Sequence, residues 1–191
     1  MMLKELILKT RSYRRFHQED EISMDTLKEL VDLARLSASG SNKQPLKYML
    51  SCDAEKNAKI FSTIARWKGM MPEWLGPKEG ERPSAYIIIL GDKEVMSSFG
   101  YDPGIAAQSI VLGATEKGLG ACMIGSMRKK EARDVLKIPS RYDILLTIAL
   151  GKPKEKVVLE TLNPGQSTNY WLEKDDSHHV PKRRLEDIII V

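Results

Sequence analysis

The sequence predicts one mixed domain in which helices pack around buried strands. Three observations carry this. The 191 residues suffice for one domain with a real core, and 42% hydrophobic with 29% charged residues is ordinary for a globular chain. Apolar runs of strand length stand at 46–51, 85–90 and 143–151, the second β-branched enough to be a central strand. Around them, apolar residues at helical spacing and capping residues mark helices. No repeat, low-complexity tract or domain boundary divides residues 1–191.

Residues 3–10 read as a first helix, which leads into Arg11-Ser12-Tyr13-Arg14-Arg15-Phe16. Three guanidinium groups and a hydroxyl lie within five residues there. Guanidinium is always charged, and its planar fork matches phosphate or carboxylate oxygens. The segment reads as an anion clamp or as a solvated basic turn. A second helix starts after Ser23 as N-cap and buries Leu27, Leu30, Val31 and Ala34. It stops near Ser37-Ala38-Ser39-Gly40 and runs into Ser41-Asn42-Lys43-Gln44-Pro45. Asn42 and Gln44 carry paired donors and acceptors that suit a heteroaromatic edge.

After the strand at 46–51, Asp53 caps a third helix whose buried side is Ala58, Phe61, Ile64 and Ala65. Residues 67–77 mix Trp, Met, Pro and Gly, which builds no regular element. They form either an ordered flap over a pocket or a loop that closes the core. Asp102-Pro103 starts a helix, with Asp at the N-cap and Pro at the first helical position. That helix is apolar on most sides, so it is buried in the core or in a subunit interface. Gly118 ends it, and Gly118, Gly120 and Gly125 flank a short strand at 121–124. Their spacing is not that of a dinucleotide fingerprint. Residues 128–137 form a charged helix, and residues 152–178 read as polar and irregular, with Tyr170-Trp171 as anchor. His178-His179 has no third ligand at metal spacing and reads as structural or surface. Pro181-Lys182-Arg183-Arg184 is a second basic cluster, and the apolar tail 188–191 needs a sheet to pair with.

The net charge of +4, from 30 basic and 26 acidic residues, points only weakly to nucleic acid and equally well to a small anion. Cys52 and Cys122 sit in apolar runs, as buried free thiols do. No zinc spacing, signal-peptide core or membrane-length run is present, so a cytoplasmic protein without membrane, metal or nucleic-acid partners is expected.

The landmarks Arg11-Ser12-x-Arg14-x-Phe16, Ser39-x-x-Asn42-x-Gln44-Pro45, the apolar helix before Gly118-Leu119-Gly120, Ile124-Gly125 and Lys182-x-Arg184 come in an order that resembles the nitroreductase family. The resemblance covers nearly the whole chain. It implies an α+β fold with a central, mostly antiparallel sheet surrounded by helices, and a C-terminal tail extending onto the partner subunit. It also implies an obligate homodimer with FMN at the interface. Carried over, Arg11, Ser12, Lys182 and Arg184 would hold the phosphate, and Arg14 would reach the pyrimidine edge of the flavin. Ser39, Asn42 and Gln44 would come from the other subunit, and backbone at Ile124 and Gly125 would face the ring. A cation beside that edge stabilises the charge of the reduced cofactor, which gives Arg14 a catalytic role.

The implied activity is hydride transfer from NADH or NADPH to FMN and then, by a ping-pong mechanism, reduction of a small acceptor such as a nitro compound or quinone. A flavin-binding relative with a modifying or sensing role is the alternative. A module for an anionic polymer would need aromatics interleaved with its arginines, and only Tyr13 and Phe16 are there. The chain departs from the family at Thr10, where a basic residue is common, at Ala38 in place of Pro, and at Leu46 in place of Trp. The last two bear on the shape of the substrate pocket.

Overall fold

The computed structural model describes residues 2–67, 74, 76–173, 175 and 177–190. β3 (Ala85–Asp92) is buried along its whole length, as a run of isoleucines requires when both sheet faces are covered. It pairs antiparallel with β2 (Leu46–Ser51) on one edge and β5 (Tyr142–Pro153) on the other. β5 is the pivot of the sheet. It also pairs antiparallel with β4 (Gly120–Ile124), and its last two residues pair with β1 (Phe16–His17).

The two-residue period of β3 divides the core. Ile87 and Ile89 pack with Leu27 and Leu30 of α2 (Met24–Leu36) and with Ala107 and Ile110 of α4 (Asp102–Glu116). Tyr86, Ile88 and Leu90 face the other way, toward Ile60 of α3 (Ala54–Ser62) and Ala132 of α5 (Lys129–Leu136). Each fully buried large aliphatic side chain contributes roughly 1.5–3 kcal/mol. The short α1 (Leu3–Lys9) buries nothing, and its end is held by Thr10 Oγ1, 2.9 Å from Thr115 Oγ1 of α4.

The predicted caps at Ser23 and Asp53 are present: their side chains accept from Thr26 N at 3.1 Å and Lys56 N at 2.8 Å. Asp102 differs from expectation. It is the first residue of α4, behind Tyr101 as N-cap, because its carboxylate is taken by the loop at Ser39. The inner face of α3 is Asn57 and Ile60, while Ala58 and Ala65 are exposed. Asn57 is satisfied there: it accepts from Ser51 Oγ at 2.7 Å and donates to Ser84 O at 2.7 Å. Burying a hydrogen-bonded amide costs little, so polarity alone misleads about the inner face.

The region 152–178 is not irregular throughout. β6 (Val157–Leu162) pairs in parallel with β8 (His178–Arg183), and β7 (Trp171–Leu172) pairs antiparallel with β8 on its other side. His179 locks the three strands, with Nδ1 2.7 Å from Glu160 and Nε2 3.4 Å from Glu173. The flap expected at 67–77 lies mostly outside the described residues. Trp67 stacks on Phe61 at 5.5 Å, and Trp74 packs against the same core cluster. The tail does not join a strand of its own chain: Ile188 and Ile189 are exposed and Ile190 is fully so. Among the described residues, no helix is long and apolar enough to cross a membrane.

Candidate active site

The arginine segment lies along the free edge of β4. Ser12 forms a parallel bridge to Ala121, and Tyr13 N donates to Ala121 O at 3.0 Å. Glycines permit this approach. Gly120 and Gly151 face each other across β4 and β5. A Cβ on Gly151 would meet the buried Phe16 side chain at 2.8 Å, and one on Gly120 would meet Tyr13 and Pro153 at 2.9 Å.

The chain then sends its three arginines different ways. Arg15 turns toward the buried Glu81, 3.1 Å away, which Lys154 also approaches at 3.5 Å. Arg11 and Arg14 face a cavity of about 450 Å³. Its wall includes Ser12, Ala121 and Met123 of the β4 edge, Gln108 of α4, and Tyr170, His178, Val180 and Lys182 of the second sheet and its approach. Arg14 Nη1 donates to Ser12 O at 3.2 Å and Nη2 to Tyr170 Oη at 3.4 Å, and the guanidinium lies 4.8 Å from the Tyr170 ring centre. The Arg14 backbone N–H donates to Glu155. Burial holds the Glu155 carboxyl above its usual range, and these donors oppose that shift.

Among the described residues, Arg11, Arg14 and Lys182 have no carboxylate within ion-pair distance, although all three line one cavity. Arg11 Nη2 donates to Ile7 O, but its Nε is buried without a hydrogen-bond partner among the described residues, and burial lowers the pKa of the guanidinium. Buried donors and charges of this kind are costly unless paired. This donor set fits a phosphorylated anion.

The remaining sequence-predicted residues lie elsewhere on the chain. Arg184 spends its fork on its own turn, with Asp187 at 2.9 Å and Glu186 at 3.3 Å. Ser39 and Gln44 line a second cavity of about 210 Å³ beside Tyr48 and Asp102. There Ser39 Oγ donates to Asp102 Oδ2 at 2.6 Å, Gly40 N to Asp102 Oδ1 at 2.9 Å, and Gln44 N to Ser39 Oγ at 2.9 Å. Ser41, Asn42 and Gln44 all have positive φ, 48°, 53° and 49°. Such strain persists only where surrounding bonds impose it, and it clusters at functional loops. The Ile124 side chain is buried against the second core cluster, away from the cavity, so only its backbone could face a ligand. Gly125 is exposed, with open space above it.

Met123, Gln108, Tyr170 and His178 line the cavity but carry no motif. The period of β4 alone would have found Met123, since it shares a face with Ala121. Cys122, the alternate residue, is buried, which pushes its thiol up to about 11 and leaves it unsuited to nucleophilic work.

The nitroreductase family pattern matches residues 7–68 and 84–152. An Archaeoglobus fulgidus protein assigned as an NADH dehydrogenase/NAD(P)H nitroreductase is 26% identical over 77% of this chain and 83% of its own. A Pseudomonas Cr(VI) reductase is 24% identical over 81% of this chain and 68% of its own. Among solved structures, an FMN-dependent nitroreductase from Clostridium difficile is 25% identical, with a TM-score of 0.67 over 81% of this chain and 89% of that one. A nitroreductase family protein from Streptococcus pneumoniae spans the whole of both chains with a TM-score of 0.71 at 17% identity, a likeness of fold.

Proposed function

The chain belongs to the nitroreductase family, and on that premise we propose that it is an FMN-dependent oxidoreductase that carries electrons from NADH or NADPH to a small oxidised acceptor. One observation supports this most: Arg11, Arg14 and Lys182 meet at one cavity without carboxylate partners among the described residues. Arg11, Ser12 and Lys182 hold the cofactor phosphate. The Arg14 guanidinium, steadied by Ser12 O and Tyr170, would stabilise the negative charge that develops on a reduced cofactor. FMN, when bound, supplies the two-electron chemistry, so the protein contributes binding, orientation and electrostatics. Neither buried Cys122 nor any other side chain is needed as a nucleophile.

The site is shared between two copies. Ser39 and Gln44 line a different cavity of the same chain from Arg11; with Asn42 they serve the flavin of a partner subunit, while Arg184 joins Arg11, Ser12 and Lys182 at the phosphate. Nicotinamide and acceptor use one flavin face in turn, which makes the kinetics ping-pong. The acceptor is a nitro compound, a quinone or a similar small molecule, and the enzyme works in the cytoplasm as a homodimer.

The test is anaerobic. FMN-loaded protein under nitrogen should bleach with NADH or NADPH and regain its yellow colour on addition of an acceptor. Heat-released ligand should be FMN. Release of FAD, or a flavin that neither nucleotide bleaches, would remove the assignment.

A further inference from the structure

His178 occupies an unusual place in the cavity. The residue is 1% exposed, and both Nδ1 and Nε2 lack a hydrogen-bond partner among the described residues. It nevertheless lines the cavity that Arg11, Arg14 and Lys182 face. The ring meets Tyr170 edge-on at 4.9 Å, and Tyr170 in turn carries Arg14. Its backbone N–H is fixed by Lys156 O at 2.8 Å, so strand pairing holds the residue in place. Two orphaned nitrogens on a buried ring are costly, and a ligand in the cavity would satisfy them.

The groups around the ring decide its protonation. Arg11, Arg14 and Lys182 line the same cavity, with Arg14 the charge felt most by the ring, His179 follows it in β8, and Tyr170 meets it edge-on. Glu155, next in sequence to the Lys156 that pairs with His178, is engaged by the Arg14 and Arg15 backbones. The His179 ring turns to Glu160 and Glu173. With burial and Arg14 acting first, the His178 ring is held neutral, down to about 4. An anion among the three cations reverses the local field. Opposite charge at close range favours a protonated ring.

We propose that His178 is a further ligand-binding residue of this cavity: its ring takes up a proton from solvent, keeps it, and donates a hydrogen bond to an entering anionic group, so that anion binding is coupled to proton uptake. Only the choice of FMN as the natural anion rests on the function proposed above. Because the free ring is neutral and the bound ring protonated, affinity for the anion rises as pH falls from above the bound pKa toward the free one. FMN is thus held by a residue that cations alone would repel, and the cavity carries less repulsion when empty.

The chain has three histidines, so their Cε1–H signals can be followed by NMR as pH is varied and assigned by single His→Asn substitutions. Four samples of full-length protein are compared: ligand-free, with sulfate (dianionic throughout), with FMN, and with riboflavin, which lacks the phosphate. FMN and sulfate should each raise the His178 pKa by about one unit or more, and riboflavin should leave it low. In parallel, the Kd ratio of His178→Asn to wild type for FMN should grow as pH falls from 8 to 5; the titration of the phosphate itself cancels in that ratio. Flavin absorbance showing bound FMN with an unmoved His178 would overturn the inference and leave the cofactor assignment intact. An equal rise with riboflavin would overturn the link to anionic charge. Sulfate raising the pKa while FMN fails to bind would support the inference and remove the cofactor. The NMR arm needs no substitution to fold other than for assignment.

Discussion

Arg11 and Arg14 are three residues apart, yet their surroundings give them separable roles. Arg11 has a buried orphaned donor, which a bound phosphate would satisfy. Arg11→Ala should therefore weaken FMN binding by about 1.5–3 kcal/mol, the range for a hydrogen bond to a charged group. Arg14 already donates to Ser12 O and Tyr170, and on the proposed function it acts on charge formed during reduction. Arg14→Ala should slow flavin reduction in stopped-flow more than it raises Kd in a fluorescence titration; equal effects from both variants would contradict the division. His178 adds a pH dependence. A buried neutral ring at about 4 leaves the native state with fewer protons than the unfolded chain, whose histidine titrates near 6.5. Ligand-free protein should therefore lose stability as pH falls through that window, and His178→Asn should lose less. Thermal melts from pH 7 to 4.5 read the difference. The arginine–serine cluster and Lys182 were legible in the sequence, because charge and spacing are local signals. Tyr170 and His178 were not. They stand more than 150 residues from Arg14, and only the pairing of β8 with its neighbours brings them to the cavity.

Helices α2 and α4 and strands β3 and β5 follow from local pattern, since each buries an apolar stripe or run; α3 and β2 follow in place but not in which residues they bury. β6 and β8 escape such a reading. Their pairing is parallel and non-local, and Pro181 inside β8 argues against a strand when seen alone. Asp102 escapes for another reason: a capping residue beside a proline is a strong helix signal, but the Ser39 loop competes for the same carboxylate. At this scale the glycine pair matters most for function. Gly151→Ala would drive a Cβ into Phe16, which is wholly buried and cannot move aside. Overpacking of this kind costs about 1–3 kcal/mol, and here it also displaces the arginine segment from the β4 edge. The variant should melt lower and bind FMN more weakly, whereas Gly125→Ala, with open space above it, should melt like wild type. A Gly151→Ala protein with unchanged flavin affinity would show that the segment is not held by this contact.

For the molecule as a whole, apolar side chains stand uncovered among the described residues. Ile188 and Ile189 are exposed and Ile190 fully so, and Ile105 of α4 is exposed beside Gly104. The sequence already marked this helix as too apolar for water and the tail as needing a sheet. Which sheet it needs cannot be read from one chain's periodicity, because the partner surface is set by the assembly. On the homodimer reading, an obligate interface buries more than about 2,000 Å². Folding, dimerisation and flavin affinity then become linked, and added FMN should raise the melting temperature by mass action. Deleting residues 186–191 should lower dimer stability and flavin occupancy together, read by sedimentation at micromolar concentration with absorbance at the flavin band. A stable, yellow, active monomer would end that reading.

The most direct test of the central claim is a crystal structure of the protein grown with FMN. The account predicts the phosphate in the cavity of Arg11, Ser12 and Lys182, the pyrimidine edge beside Arg14, and Ser39, Asn42 and Gln44 of a second copy closing the site. FMN bound instead in the separate Ser39–Tyr48 cavity of its own chain, with Arg11 Nε still without a partner, would contradict it.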